Sequence, residues 1–539
     1  MQSHEVYLFQ IYSVLPRILA LIDTDPTSVS YGMGDRYHWA WGLIDFGNAS
    51  FQGMAHGFAR LWSHQLWPYP TTQEHFVRRI DALFQATAYL TRRDGSVEEA
   101  FPNEGSFCVT ALVAFDLLCT IDLLSEEISA VEQENWRRIV QPLIEYLQSA
   151  DETHALISNH LATAVAALAR WHDLTGDPEA EQRAEELLTR ILCHQSQEGW
   201  FLEYEGADPG YQSLCTYYLA DVHKLRPAWD LQRPLQNSLS FLRYFAHPDG
   251  SFGGLYGSRC TRFYYPAGPL ALSSDIPAAM ALSRFMVQSI AQNRVVTLTA
   301  MDDPNLIPMF NAYCWAATLA KNLLNHTSDK FDDKALLSHD TLPAEQKQRQ
   351  RQYFPEAGLL IDRGKEHYSI ISTHKGGVVY HFKDTKLHLL NAGVVVRNAK
   401  GQLGSSQAYQ KENRVTTWKE NSLSIEAPIV TMPKVLPQPW QFLVLRILSL
   451  TLFRFKFSRE WIKQQLVRQL ITNTKLWPIR NRRTIHLGRD LTVSDELTQE
   501  NGFHVQATLG SFVPIHMASQ GYWQIQDEIS EPPGQLGDA

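Results

Sequence analysis

The sequence predicts an α+β protein in two parts: a helical toroid of about six αα-hairpins over residues 1–325, then an antiparallel β-sandwich over 356–539. Three observations carry this. Turn signals recur in the first part with a period near 52 residues, and apolar residues between them recur at three- and four-residue spacing. Beyond residue 356 the pattern shortens to that of β-strands.

The turns are Asp94-Gly95-Ser96, Glu198-Gly199-Trp200 and Asp249-Gly250-Ser251, whose glycines lie 104 and 51 residues apart, two periods and one. The missing turn is expected near residue 147, where QSADETH (148–154) supplies a polar break. Each break leads through a short loop into an apolar helix: FCVTALVAFDLL, NHLATAVAALAR, YQSLCTYYLADV and RFYYPAGPLALS. These begin at Phe107, Asn159, Tyr211 and Arg262, separated by 52, 52 and 51 residues. FQGMAHGFARLW and NAYCWAATLAKN extend the array by one period in each direction. A helix pair with an apolar face must bury it against the next pair, so the array stacks or closes. Equivalent pairs would bring Asn159, Tyr211 and Arg262 to one rim.

Residues 326–355, largely HTSDKFDDKALLSHDTLPAEQKQRQRQ, are polar and charged and read as a linker. HYSIISTHKGGVVYHF and LHLLNAGVVVRNAKGQLG then read as strands broken by glycine turns. PWQFLVLRILSLTLFRFKFSREWIKQQLVRQLI (439–471) is apolar and basic, and is expected to form a helical insertion. It either shields an edge of the sandwich or lies on a membrane surface or a partner. Its longest apolar run, Phe442 to Phe457, is interrupted by Arg446, Arg454 and Lys456, too often for a bilayer span.

Composition narrows the function. Lys and Arg number 48 and Asp and Glu 57, a formal charge of −9 with no basic stripe, so nucleic acid is not an expected partner. Apolar residues at 44% and charged residues at 19% specify an ordinary globular core. The 14 Trp, 21 Tyr and 25 Phe offer flat faces that suit sugar rings as well as cores. Six cysteines lie within the first 314 residues without zinc-type spacing, and read as buried thiols; no metal ligand set is evident. The N-terminus lacks a basic n-region and a small-residue cleavage site. The expected compartment is therefore the cytoplasm, or the periplasm or cell surface if a signal has been removed.

Four short motifs carry candidate chemistry. Asn159-His160 opens a helix, where Asn is also a common cap. Tyr211 follows GADPG, which can fix a tight turn and aim the ring. His374 lies in STHKGG at a strand end. Arg259 and Arg262, in YGSRCTRFYYP, can bind anions or pair with Glu203 and Glu205.

This combination resembles the heparinase II/III-like polysaccharide lyases, including related alginate lyases: a toroid before a β-sandwich, Asn-His at a helix start, Tyr one repeat later and His in an early strand of the second domain. DRYHWAWGLIDFGNASFQ (35–52) is similar to their N-terminal region. The strand after His374, GGVVYHF, departs from them in lacking an early acidic or polar residue. The resemblance implies β-elimination from a uronate in an acidic polysaccharide or oligosaccharide. Asn159 and His160 would neutralise the substrate carboxylate, with Tyr211 and His374 as base and acid. Arg259, Arg262, Tyr264, Glu205 and Trp39 would contact substrate. No cofactor is implied as required, although family members can carry a structural divalent ion in the β-domain. Two alternatives stand beside this reading. Glu203, Glu205 and Asp208 could flank a glycosidic bond as in a hydrolase, or the fold could bind glycan or serve polymer assembly without catalysis.

Overall fold

The computed structural model describes residues 2–42, 44–152, 156–204, 206–326, 341–411, 415–419, 421–432, 438–455, 458, 461–462, 475–498, 502–508 and 510–514. Thirteen of its helices form the first part: α1 (Ser3–Leu19), α2 (Arg36–Trp39), α3 (Met54–Ser63), α4 (Gln73–Leu90), α5 (Phe107–Leu123), α6 (Ala130–Ser149), α7 (Ser158–Thr175), α8 (Pro178–Cys193), α9 (Pro209–Leu225), α10 (Gln232–Leu242), α11 (Ala267–Ala271), α12 (Pro277–Ala291) and α13 (Asp303–His326). Helices α3, α5, α7, α9, α11 and α13 each pack on the next, and α13 returns to α3, which closes a ring. Helices α4, α6, α8, α10, α12 and α1 lie outside it.

Sequence explains the two layers. Inner α7 carries Leu161, Ala162, Ala164, Val165, Ala166, Ala167, Leu168 and Ala169, all fully buried, so it is apolar on every side. Outer α8 buries only Ala180, Ala184, Leu187, Leu188 and Ile191, a single stripe at helical spacing.

The repeat is visible in the backbone. Arg92 donates to Ser96 O, Ser196 to Trp200 O and His247 to Ser251 O, each at 2.9 Å, and Gly95, Gly199 and Gly250 all have positive φ. In the outer two turns the aspartate closes its own loop: Asp94 accepts from Ser96, and Asp249 from Ser251. Glu198 instead reaches across to the second part, accepting from the backbone of Glu356 at 2.8 Å and Ala357 at 3.0 Å.

That second part is two antiparallel sheets. The first orders β1 (Gln350–Phe354), β2 (Leu359–Arg363), β3 (His367–Ser372), β4 (Val378–Lys383) and β5 (Lys386–Asn391) as a meander. The second contains β6 (Val394–Asn398), β7 (Leu403–Ser405), β8 (Val415–Lys419), β9 (Ser422–Thr431), β10 (Leu476–His486), β11 (Thr492–Leu497) and β12 (Phe503–Thr508). It runs β11-β10-β9-β7-β6-β12, with β8 also on β9. Leu360, Ile371 and Val379 of the first sheet meet Leu423, Ile425 and Ile485 of the second. The opposite face of the first sheet packs on the toroid, Phe354 against Phe241 and Tyr244, and Phe382 against His247. Strands β2 and β4 are therefore buried on both faces, while β10 alternates buried and exposed residues.

Two details differ from the sequence reading. The first strand begins at Gln350, inside the span read as linker, because Phe354 is drawn into the toroid interface. Cys193 is exposed and Cys108 only partly covered, so not all thiols are buried.

Gly199 has φ +101°, and a Cβ there would overlap the carbonyl oxygen of Asn237 in α10. Gly199→Ala should destabilise the protein by about 2 kcal/mol or more, measured as a lower denaturation midpoint.

Candidate active site

The N-termini of α5, α7 and α9 lie side by side, with Phe107 first in α5, Asn159 second in α7 and Tyr211 third in α9. Arg262 precedes α11 by five residues, at the same end of the ring. The 52-residue phase thus becomes one rim.

Asn159 does not cap its helix; Ile157 occupies that position and offers no side-chain oxygen. Glu203, in the loop before α9, does the capping from outside. Its carboxyl accepts the Asn159 backbone N–H at 3.1 Å and Nδ2 at 2.7 Å, and it is wholly buried. Burial raises Glu203 to about 7, against opposing effects of His160, Arg259 and the Asn159 bonds. The next residue, Tyr204, sits at φ +60°, a conformation that costs a non-glycine residue about 1–3 kcal/mol.

His160 points toward α5 and the preceding loop, with Nδ1 2.7 Å from Glu152 Oε2. Burial opposes its charging, but Cys108 and the bond to Glu152 raise it above the ordinary histidine value. Glu99, close by, accepts from the Ser106 hydroxyl at 3.1 Å and is itself exposed.

GADPG is not a turn before the helix but the helix start itself. Asp208 is the N-cap, accepting from the Tyr211 backbone at 3.1 Å, and Pro209 takes the first helical position. Asp208 also accepts from the Thr261 hydroxyl and from the Arg259 backbone at 3.0 Å, which fixes the 257–262 loop beside α9. The Arg259 guanidinium stands 4.4 Å from the ring centroid of Tyr204 and 4.9 Å from that of Tyr211. Burial raises the half-buried Tyr211 phenol and Arg259 lowers it; the net direction is upward, so Tyr211 is a neutral proton donor at rest.

The β-part reaches this rim through Tyr409, which the sequence reading missed. His374, in the β3–β4 connection and 7% exposed, places Nδ1 3.1 Å from the Tyr409 hydroxyl. A Cβ at Gly206 would overlap that hydroxyl, so Tyr409 lies directly on the Glu203–Asp208 loop. Tyr409 is the more exposed of the two and the group nearer the rim. Beside it, buried Lys375 donates to Gly257 O at 2.9 Å. Nothing in SSQAYQK marks Tyr409 in the sequence, since its partners lie 35 and about 200 residues away.

Other candidates fall elsewhere. Tyr264 is fully buried and donates to Met286 O at 2.7 Å, a core residue rather than a sugar contact. Arg262 Nη2 donates to Ser511 at 2.8 Å and neighbours Tyr380, so it docks the two parts together. Trp39 turns inward, donating to Leu21 O at 2.8 Å, with Arg36 over its ring. Glu205 lies outside the described residues. Among the described residues no group of three or more His, Cys, Asp or Glu is arranged to hold a metal ion.

No family model matches the sequence, and no curated protein is significantly similar to it. Among solved structures, a Paenibacillus xanthan lyase is similar at 11% identity over 80% of this chain, with a TM-score of 0.48. This chain spans 46% of that lyase. A cellobiose 2-epimerase from Bacillus thermoamylovorans B4167 is 11% identical over 58% of this chain and 98% of its own, with a TM-score of 0.42. A family 76 glycoside hydrolase from a bovine Bacteroides thetaiotaomicron strain is 8% identical over 59% and 78%, at 0.40. Identities and scores this low assign neither a family nor an activity to the chain.

Glu203 and His160 bind protons more tightly in the folded chain than in the unfolded one. Stability should therefore fall as pH rises, first above about 4.5 as the unfolded glutamate ionises, and until Glu203 ionises near 7. The His160 contribution is complete below its ordinary value of 6.5 and is lost as pH climbs through its raised one. Denaturation midpoints between pH 5 and 8 should decline, and Glu203→Gln should flatten the decline below pH 7. An unchanged slope would mean that Glu203 is ionised throughout.

Proposed function

We propose that the chain is a polysaccharide lyase acting on a uronate-containing polymer by β-elimination. The observation that carries this is the Tyr211 ring, 4.9 Å from the Arg259 guanidinium, on the same rim as His160, whose Nδ1 lies 2.7 Å from Glu152. In elimination a base removes the C5 proton, the electron pair forms the C4–C5 double bond, and the C4–O bond breaks. The leaving oxygen then takes a proton from an acid. Charge builds on the substrate carboxylate as the C5 proton leaves, and cations or hydrogen-bond donors aimed there lower the barrier.

His160 supplies that positive charge. Asn159 is held at the same helix end by buried Glu203, which accepts its backbone N–H and Nδ2. Tyr211 protonates the leaving oxygen. The base lies across the rim, where Tyr409 contacts substrate and His374 behind it accepts the Tyr409 proton. His374 so acts through Tyr409.

Glycoside hydrolysis, the second reading, would need two free carboxyls across the rim. Glu203 and Asp208 do not offer them, because Asn159 occupies both oxygens of the first, and the α9 cap, Thr261 and Arg259 occupy those of the second.

Incubation with acidic polysaccharides separates the readings: products with a conjugated double bond mark elimination, and reducing ends without one mark hydrolysis. Tyr211→Phe should lower product formation by roughly a hundredfold or more while leaving the denaturation midpoint nearly unchanged. Tyr409→Phe should lower it comparably. Full turnover in either variant would remove that residue from the proton path. Arg259→Ala should weaken substrate binding, more at low salt than at high salt.

A further inference from the structure

Helix α14 (Pro439–Leu450) follows β9 in the chain, and its C-terminal end is fastened to the toroid loops. Arg446 pairs with Asp45 at 2.7 Å, Asn103 Nδ2 donates to Ser449 O at 3.0 Å, and buried Phe453 packs on Phe101 with ring centroids 5.3 Å apart. The remainder projects outward. Trp440, Phe442, Leu443, Val444, Ile447 and Leu450 are exposed by 44–63% each, and residues 440–444 show no buried side at all. The loop that carries Asp45 also exposes Trp41, at 77%.

An apolar patch of this extent on a water-facing surface marks a site that something covers. The charge of the segment says what. From Ala427 to Arg459 there is no Asp or Glu, and residues 439–471 carry six Lys or Arg against Glu460 alone, in a chain whose net charge is −9. A second copy of the chain would set one cationic segment against another. Anionic lipid headgroups neutralise it, while acyl chains receive the leucines, and Trp at a helix end suits the headgroup boundary. At 12 residues α14 is too short to span, and among the described residues no helix is long and apolar enough to cross a membrane.

The geometry points to α14 as an interfacial anchor that seats this protein on an anionic membrane surface. Arg446 holds the helix to the toroid rim, and the exposed apolar residues enter the bilayer surface. The anchor is independent of the reaction carried out at the rim.

The test is cosedimentation of the full chain with vesicles of phosphatidylcholine containing phosphatidylglycerol. Binding is expected, weakened at least tenfold by the double variant Leu443→Glu, Ile447→Glu, whose exposed sites leave the melting transition in place. Vesicles of phosphatidylcholine alone, or high salt, should also bind less. Three results would each overturn the proposal: wild-type chain that stays in the supernatant, a double variant that binds as well as wild type, or a dimer that the double variant converts to monomer without any vesicle binding.

Discussion

A sheet that is apolar on both faces needs two covers, and most of the architecture follows from supplying them. The first sheet finds one cover in the second sheet and the other in the outer wall of the helical ring, around Phe241, Tyr244 and His247. Transfer of those aromatic faces from water is the driving term, at about 25 cal/mol per Å² of apolar surface. Once the sheet is seated, polar contacts fix its register on the ring: Glu198 on the backbone at 356–357, Tyr368 on Tyr244 O, and the Leu255 N–H on the Tyr380 hydroxyl. His374, in the β3–β4 connection, then meets Tyr409, which follows β7, at the rim.

The rim is built from a different physical resource. Three parallel helix N-termini present unsatisfied backbone N–H groups and the positive ends of their dipoles, which attract carboxylates. Glu203 and Asp208 answer α7 and α9 respectively, and both are fully buried in doing so. Burying carboxyls raises their proton affinity, and Glu203 shows it. The same low-dielectric setting holds His160 charged beside Glu152 and Tyr211 neutral beside Arg259. Opposite protonation states a few residues apart are what acid and base chemistry at one pH requires.

The insertion at α14 shows the limit of amphipathic reasoning. Apolar periodicity identifies a helix that wants an apolar neighbour, without identifying the neighbour. Among the described residues of the insertion, Phe453 and Ile462 are buried, while Trp440, Phe442, Leu443, Val444, Ile447 and Leu450 face outward.

The ring was legible in the sequence because its signal is local and repeated: a turn glycine, a polar break and an apolar helix recur every 52 residues, and equivalent pairs place Asn159 and Tyr211 at one end by arithmetic alone. The strand content was equally local. The partners of those residues were not. Glu203 lies 44 residues from Asn159, Tyr409 lies 35 residues from His374, and Tyr211, Arg259 and Tyr204 meet only when α9 and the 257–262 loop pack together. Arg262 shares the repeat phase with Asn159 and Tyr211, yet the domain interface takes it, and the core takes neighbouring Tyr264. Sequence by itself determined which helix ends meet, since periodicity is a property of neighbouring residues. Which side chains share a rim, and which of them keep a proton there, only the tertiary structure decided, because burial and long-range contact exist only after the sheet and the ring have closed on one another.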